Sequence, residues 1–231
     1  LEYGLDFSGF STQSAFFDYD LDGDLDMYLL NHSLRYNSTF NERDYYRSNY
    51  DSLSGDRMYR NDKGKYTDVT LSTGINSSII GYGLGICVSD INQDGYPDLY
   101  IANDFHENDY YYINNGSSPS PKGEARGEVT FTESGAKHFD HYSRFSMGND
   151  VADYNNDGHP DVITVDMLPP DEKTLKTYGS DENPETYKIK LQSKGYQHQY
   201  SKNCLQRNNG NGISFSETAL QSGVPATDWS W

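Results

Sequence analysis

The chain has almost no cysteine: Cys87 and Cys204 are the only two. They form neither a disulfide framework nor a thiolate metal pair by spacing, so each is expected as a free thiol in the core. Positive charge is also scarce, with 18 Lys and Arg against 35 Asp and Glu and a net charge of −17. Such a surface repels phosphate backbones and anionic bilayers, which excludes nucleic acid and acidic membranes as main partners. No apolar run approaches the ~20 residues a membrane helix needs, and no Pro- or Ser-rich linker divides the chain. The chain opens at Leu1 without Met or a signal-like stretch, so any export signal is expected outside it. Apolar residues are few, at 34%, yet 21 Tyr and 10 Phe supply amphipathic bulk, which marks a folded domain rather than a disordered acidic tail.

What the sequence does have is internal repetition. Phe10–Leu29 (FSTQSAFFDYDLDGDLDMYL), Tyr82–Ile101 (YGLGICVSDINQDGYPDLYI) and Phe145–Thr164 (FSMGNDVADYNNDGHPDVIT) align without gaps. A second phrase follows each: MYRNDKGKYTDVTLSTGI from Met58, YYINNG and VTFTESGA from Tyr111 and Val129, and LQRNNGNGISFSETALQSGV from Leu205. Gly74, Gly135 and Gly223 are read as the closes of these phrases, and Gly4 as the close of an earlier one. Trp229 to Trp231 align with the repeat starts at 10, 82 and 145, so the units are 10–81, 82–144 and 145–228, with a fourth beginning at 229–231. One departure is Gln13, where the other units have Gly85 and Gly148.

Each unit reads as strands. Ser14–Phe17, Leu25–Leu30, Arg57–Arg60 and Lys65–Thr70 are short and rich in aromatic or β-branched residues, and Asp22-Gly23 and Asn61–Gly64 are turn formers between them. Four antiparallel strands per unit predict an all-β fold of about three β-propeller blades. Three blades leave two open edges, so the chain is expected to be a piece of a longer protein or to self-associate through those edges. Insertions at 32–56 and 168–201 break the period, and 117–127 reads as a flexible loop. The second insertion predicts a short helix after Leu168-Pro169-Pro170-Asp171 and another from Pro184 through Leu191.

The chemistry lies in three loops of the form D-x-[DN]-x-D-G-x-x-D. They contain Asp18, Asp20, Asp22, Gly23 and Asp26; Asp90, Asn92, Asp94, Gly95 and Asp98; and Asp153, Asn155, Asp157, Gly158 and Asp161. Oxygen donors at alternate positions of a tight loop converge on one centre, and the backbone carbonyls of Asp24, Tyr96 and His159 complete the set. All-oxygen ligation with six or seven donors favours Ca²⁺ over Mg²⁺, at about three sites. Ordinary acidic turns use the same residues, but three in register, each leading into a strand, favour ligation. Four ligand carboxylates in the first loop, against three in each of the others, predict that the first binds most tightly. An EF-hand is excluded, because its bidentate Glu would fall at Leu29, Ile101 and Thr164.

These repeats resemble the FG-GAP, or VCBS-type, family, best known from integrin α-subunit heads, in which a calcium loop joins the first two strands of each blade. The second phrases resemble the bacterial branch related to cartilage acidic protein. The third unit, from VITVDMLPPDE onward, is similar to exported proteins common in Bacteroidetes. The resemblance implies a seven-bladed propeller in the full-length protein, secretion or attachment to the cell surface, and a role in adhesion or in binding a protein or glycan.

An enzyme reading finds little to use. None of His32, His106, His138, His141, His159 and His198 falls in a nucleophile or zinc motif. His106 and the pair His138 and His141 are the best placed, and a glycosidase pair can be drawn from Asp104, Glu107 and Asp109. A hydrolase or lyase and a purely structural spacer therefore stand as alternatives to the binding module. The Tyr45-Tyr46 and Tyr110–Tyr112 clusters are candidate contact surfaces, although alternate Tyr in a strand favours packing between blades for the second. Asn37-Ser38-Thr39 and Asn76-Ser77-Ser78 match the glycosylation triplet.

Overall fold

In the computed structural model the described residues are 2–35, 43–117, 128–178 and 183–229. The Asn37 triplet, residues 118–127 of the expected loop, and residues 230 and 231 of the fourth unit lie outside them. The fold is all-β in its framework. The first sheet contains β1 (Ser11–Phe17), β2 (Asp26–Asn31), β3 (Arg57–Asp62) and β4 (Lys65–Asp68). The second contains β5 (Gly83–Ser89), β6 (Asp98–Asn103), β7 (Tyr110–Ser117) and β8 (Val129–Glu133). After the short β9 (Tyr142–Ser143), the third sheet takes β10 (Gly148–Ala152) and β11 (Asp161–Val165). β12 (Gln199–Tyr200) pairs in parallel with β9, and β13 (Cys204–Asn208) and β14 (Phe215–Glu217) complete the third sheet. Every neighbouring pair within the three large sheets is antiparallel, and strand order follows chain order.

β1 packs beside β5, and β5 beside β10, so the second sheet lies between the other two with a core on each side. Strand periodicity divides its aromatics. Tyr110 and Tyr112 enter the core shared with Phe17, Tyr28, Leu30 and Met58, while Tyr111 enters the other, with Phe139, Tyr142 and Phe215. All three tyrosines are buried, so this cluster is packing and not a contact surface. Each such ring contributes on the order of 2–3 kcal/mol through area removed from water. Cys204 is buried and Cys87 only half-buried, and both are free thiols.

The helices correct the sequence expectation, which placed them in the third unit alone. α1 (Arg43–Arg47) lies in the first insertion, α2 (Thr70–Thr73) and α3 (Gly135–His138) follow the first two sheets, and α4 (Glu172–Tyr178) and α5 (Pro184–Ser193) fill the third insertion. Strand β4 therefore ends at Asp68, whose side chain accepts from the Thr70 amide (3.0 Å) and hydroxyl (2.6 Å) and turns the chain into α2. Gly135 is also reassigned. Gly4, Gly74 and Gly223 hold left-handed φ of +80°, +81° and +76° as turn closers, but Gly135 begins α3, where an added Cβ would lie 2.5 Å from the Tyr142 hydroxyl.

In an antiparallel meander successive connections alternate between the two ends of the sheet. The three acidic loops, each joining first to second strand, therefore share one end. The connections from second to third strand, which carry both insertions, share the other.

Candidate metal loops and the insertion face

The three acidic loops adopt one geometry. In the first, the Asp22 and Gly23 amides donate to the two Asp18 oxygens (both 2.9 Å), and the Asp24 amide donates to Asp22 Oδ1 (2.9 Å). Asp90 accepts from Asp94 and Gly95 (both 2.9 Å) and Asp94 from Tyr96 (2.9 Å). Asp153 accepts from Asp157 (3.0 Å) and Gly158 (2.8 Å), and Asp157 from His159 (3.0 Å). The chain turns left-handed at the fourth and sixth positions of each loop, at Leu21, Gln93 and Asn156 and then at Gly23, Gly95 and Gly158, with φ of +57° to +95°. The fourth position carries no glycine, so that feature was not legible in the repeat.

The ninth residue of each loop behaves differently from the first, third and fifth. Asp26, Asp98 and Asp161 are buried at the start of the second strand. One oxygen of each accepts an amide from within its own loop: Tyr19 (3.1 Å), Ile91 (3.1 Å) and Tyr154 (3.3 Å). The other accepts the amide of an asparagine on the third strand: Asn61 (2.7 Å), Asn114 (2.9 Å) and Asn208 (2.7 Å). Burial pushes Asp26 and Asp98 up to about 7 and moves Asp161 in the same direction, against the amide bonds that pull them down. A cation at the loop centre would favour their ionised forms.

Those asparagines were missed as functional positions, although an Asn shortly before a Gly recurs in all three second phrases. Each side chain also reaches the carbonyl before its own ninth residue: Asn61 to Leu25 (3.0 Å), Asn114 to Pro97 (3.2 Å) and Asn208 to Pro160 (3.2 Å). Two of them reach the preceding loop as well, Asn114 to the Tyr19 carbonyl (2.9 Å) and Asn208 to that of Ile91 (3.4 Å). The loops are thus held to the sheets by tertiary bonds as well as by their own turns.

The donor set fits a hard cation. Asp18, Asp20 and Asp22 each offer a carboxylate oxygen, and these oxygens lie within 4.8 Å of one another. In the other loops the Asn92 and Asn155 side-chain amides donate to Asp94 and Asp157 (both 2.9 Å), while their Oδ1 atoms accept the Asp94 (3.0 Å) and Asp157 (2.9 Å) amides. Each Asn side chain would therefore have to turn its oxygen inward to serve a cation. Asp26, Asp98 and Asp161 lie close enough to the loop carboxylates that, after burial, this charge raises them further. An oxygen that accepts one amide keeps a second lone pair, although Asp98 Oδ2 already accepts both the Ile91 (3.1 Å) and Asn92 (3.3 Å) amides.

At the opposite end the three sheets repeat a second device. Asp56 accepts from the Asn31 amide and the Tyr28 hydroxyl (both 2.8 Å), and Asp109 from the Asn103 amide (2.9 Å) and the Tyr100 hydroxyl (2.8 Å). In the third sheet the pair is exchanged: Asn203 Oδ1 accepts the Asp166 amide (2.7 Å). Burial pushes Asp56 and Asp109 from 3.8 up to about 7. The folded state then holds protons that the unfolded chain releases, so their stabilisation is complete below about pH 4 and is lost as pH rises towards 7. Asp109→Asn is expected to remove one such proton and flatten the pH dependence by up to about 1.4 kcal/mol per pH unit. Urea unfolding from pH 4.5 to 8 in chelator checks this, and parallel slopes for variant and wild type would refute it.

The candidate hydrolase acids are tied into this end. Glu107 is buried against Arg43 (3.0 Å) and Arg47 (3.5 Å), Asp109 also accepts from Ser146 (2.9 Å), and Asp104 bonds the Phe105 amide (2.8 Å). They offer no open pair for a glycoside. His106 packs edge-on to Tyr196, His138 Nδ1 lies 2.5 Å from the Ile213 carbonyl, and His141 lies 3.4 Å from Glu217. Of the Tyr45-Tyr46 pair, Tyr45 is exposed and Tyr46 lies under the Arg35 guanidinium (4.0 Å).

Residues 90–164, from the second acidic loop through β11, match the family described as the FG-GAP-like repeat. The matched span contains the second and third loops, and the first loop, outside it, has the same geometry. No match is found among curated proteins. No helix among the described residues is long and apolar enough to cross a membrane.

Proposed function

We propose that this FG-GAP-type repeat protein is a calcium-stiffened, β-propeller-like binding module, with its cation loops at one end and its recognition surface at the other. The observation that carries the reading is the threefold recurrence of one loop backbone, with three carboxylates of the first loop offering oxygens within 4.8 Å of one another. Asp18, Asp20, Asp22 and Asp26 would hold the first ion, with the Asp24 carbonyl. Asp90, Asn92, Asp94 and Asp98 with the Tyr96 carbonyl, and Asp153, Asn155, Asp157 and Asp161 with the His159 carbonyl, would hold the others. Calcium would supply charge neutralisation and loop rigidity, not chemistry.

Two further points support a binding role outside the cytoplasm, in adhesion or in recognition of a protein or glycan. An extracytoplasmic placement is what the FG-GAP-type resemblance implies, and the high calcium there would keep such loops filled. The two insertions meet at one end, where preorganised loops lose little entropy on binding a partner.

Equilibrium dialysis against labelled calcium tests the loops. Three ions per chain are expected, with one lost in each of Asp22→Asn, Asp94→Asn and Asp157→Asn. No retained calcium would overturn the reading. Protein and glycan arrays then test the other end: a saturable ligand weakened by Tyr45→Ala supports a binding module, and none at all favours a spacer.

A further inference from the structure

Neighbouring acidic loops are not equally connected. Between the second and third, Gln93 spans the gap: its Nε2 donates to the Gly158 carbonyl (2.7 Å), and its Oε1 lies 2.7 Å from His159 Nδ1. With the amide nitrogen committed to Gly158, Oε1 is the acceptor, and His159 carries its proton on Nδ1. Gln93 sits at the fourth position of its loop, between Asn92 and Asp94, in the left-handed conformation (φ +60°). It therefore joins the segment between two donor side chains of one loop to the residue whose carbonyl is the seventh-position donor of the next.

Two other contacts run along the same seam. The turn after β13 presses on both loops: a Cβ at Gly212 would lie 2.5 Å from Asn92 Cα, and one at Gly210 would lie 3.4 Å from His159 Nε2. Asn208 holds the Ile91 carbonyl of the second loop (3.4 Å) and the Asp161 carboxylate of the third (2.7 Å). Among the described residues, the first and second loops share the corresponding asparagine contact, from Asn114 to the Tyr19 carbonyl (2.9 Å). At the position of Gln93 the first loop has Leu21, an exposed apolar side chain that cannot make either bond.

We infer that the second and third loops bind calcium as one cooperative pair, with Gln93 as the coupling residue, while the first loop titrates apart from them. The inference rests on the calcium reading above. An ion in the second loop fixes Asn92 and Asp94, and hence Gln93 between them. Gln93 then holds the Gly158–His159 segment in its ligating position, so the second ion has less disorder to remove. Coupling is reciprocal, so occupancy of the third loop must tighten the second by the same factor.

Calcium titration followed by the ¹H–¹⁵N signals of Gly23, Gly95 and Gly158 reads the loops one by one, since each glycine amide bonds the first Asp of its own loop. In the wild type, Gly95 and Gly158 are expected to move together and more steeply than Gly23. Asp157→Asn, which cripples the third loop, should raise the half-saturating calcium at Gly95 about fivefold or more. In the Gln93→Ala background the same substitution should leave the Gly95 midpoint in place. An unchanged Gly95 midpoint in Asp157→Asn, or a shift that survives Gln93→Ala, overturns the coupling while leaving the calcium sites standing. Glycine signals that do not respond to calcium in the wild type overturn the calcium reading itself and the coupling with it.

Discussion

Stripping calcium is expected to cost this protein more stability than any single substitution. A ligand that binds only the folded state adds RT ln(1 + [L]/Kd), so a micromolar site in millimolar calcium contributes about 4 kcal/mol. The geometry accounts for the direction. The first loop brings oxygens of three carboxylates within 4.8 Å of one another and places the buried Asp26 behind them. Without a cation this charge is opposed mainly by amide dipoles, with Arg60 near Asp20, and mutual repulsion works to drive the loop apart. For a chain of 231 residues, each kcal/mol moves the midpoint by about 2–4 °C, so one loop alone should shift Tm by roughly 8–16 °C. Thermal unfolding in calcium and then in chelator, at matched ionic strength, is the measurement. Asp22→Asn should remove one such increment and no more. Coincident curves in calcium and chelator would mean that the loops are acidic turns stabilised by their Asx bonds alone.

The second large effect is expected from Glu107→Gln. Glu107 is enclosed between Arg43 and Arg47 of α1, and Arg47 continues to Glu133 of the second sheet (2.8 Å) and stacks over the Tyr110 ring (4.9 Å). With its amide turned so that the oxygen faces the guanidinium, Asn76 accepts from Arg47 Nη2 (2.9 Å). The Arg43 amide also donates to the Lys194 carbonyl (3.1 Å), which brings the insertion of the third sheet into the same joint. Neutralising Glu107 leaves the Arg43 guanidinium without its counter-charge in a site with little water, Arg47 keeping Glu133, and the cost is about 3–5 kcal/mol. Urea unfolding should show that loss, and hydrogen exchange should show α1 losing protection before the sheets. Adding Arg43→Met to Glu107→Gln is expected to recover part of the stability, because an apolar side chain needs no counter-charge there. A loss below about 1 kcal/mol would place the pair in the class of solvated surface bridges.

The two effects lie at opposite ends of the sheets, and they were unequally visible beforehand. The acidic loops were legible because an Asx turn is local: Asp18 meets the amides of Asp22 and Gly23, four and five residues away. The Tyr110–Tyr112 alternation was legible for a similar reason, since neighbouring side chains of a strand face opposite ways. The helix starts at Glu172 and Pro184 followed from nearby proline and acidic residues. Gly135 was misread because it aligns with Gly74 by composition, whereas its close approach to Tyr142 is made by a different part of the chain. Asp104, Glu107 and Asp109 looked available as catalytic acids because sequence records charge and not enclosure. Glu107 meets Arg43 across 64 residues, through an insertion whose path no local rule specifies.

By itself, then, the sequence determined the threefold repeat, its strands and the three acidic loops, all of which depend on interactions within about a dozen residues. The tertiary structure alone decided how those loops are held and joined. Asp26, Asp98 and Asp161 find their asparagines 35, 16 and 47 residues later, and Gln93 finds Gly158 after 65. It also decided that both insertions close over one end of the sheets. Turn geometry is set by adjacent dihedral angles, whereas these partners meet only when antiparallel meanders have paired and packed, at separations that spacing does not encode.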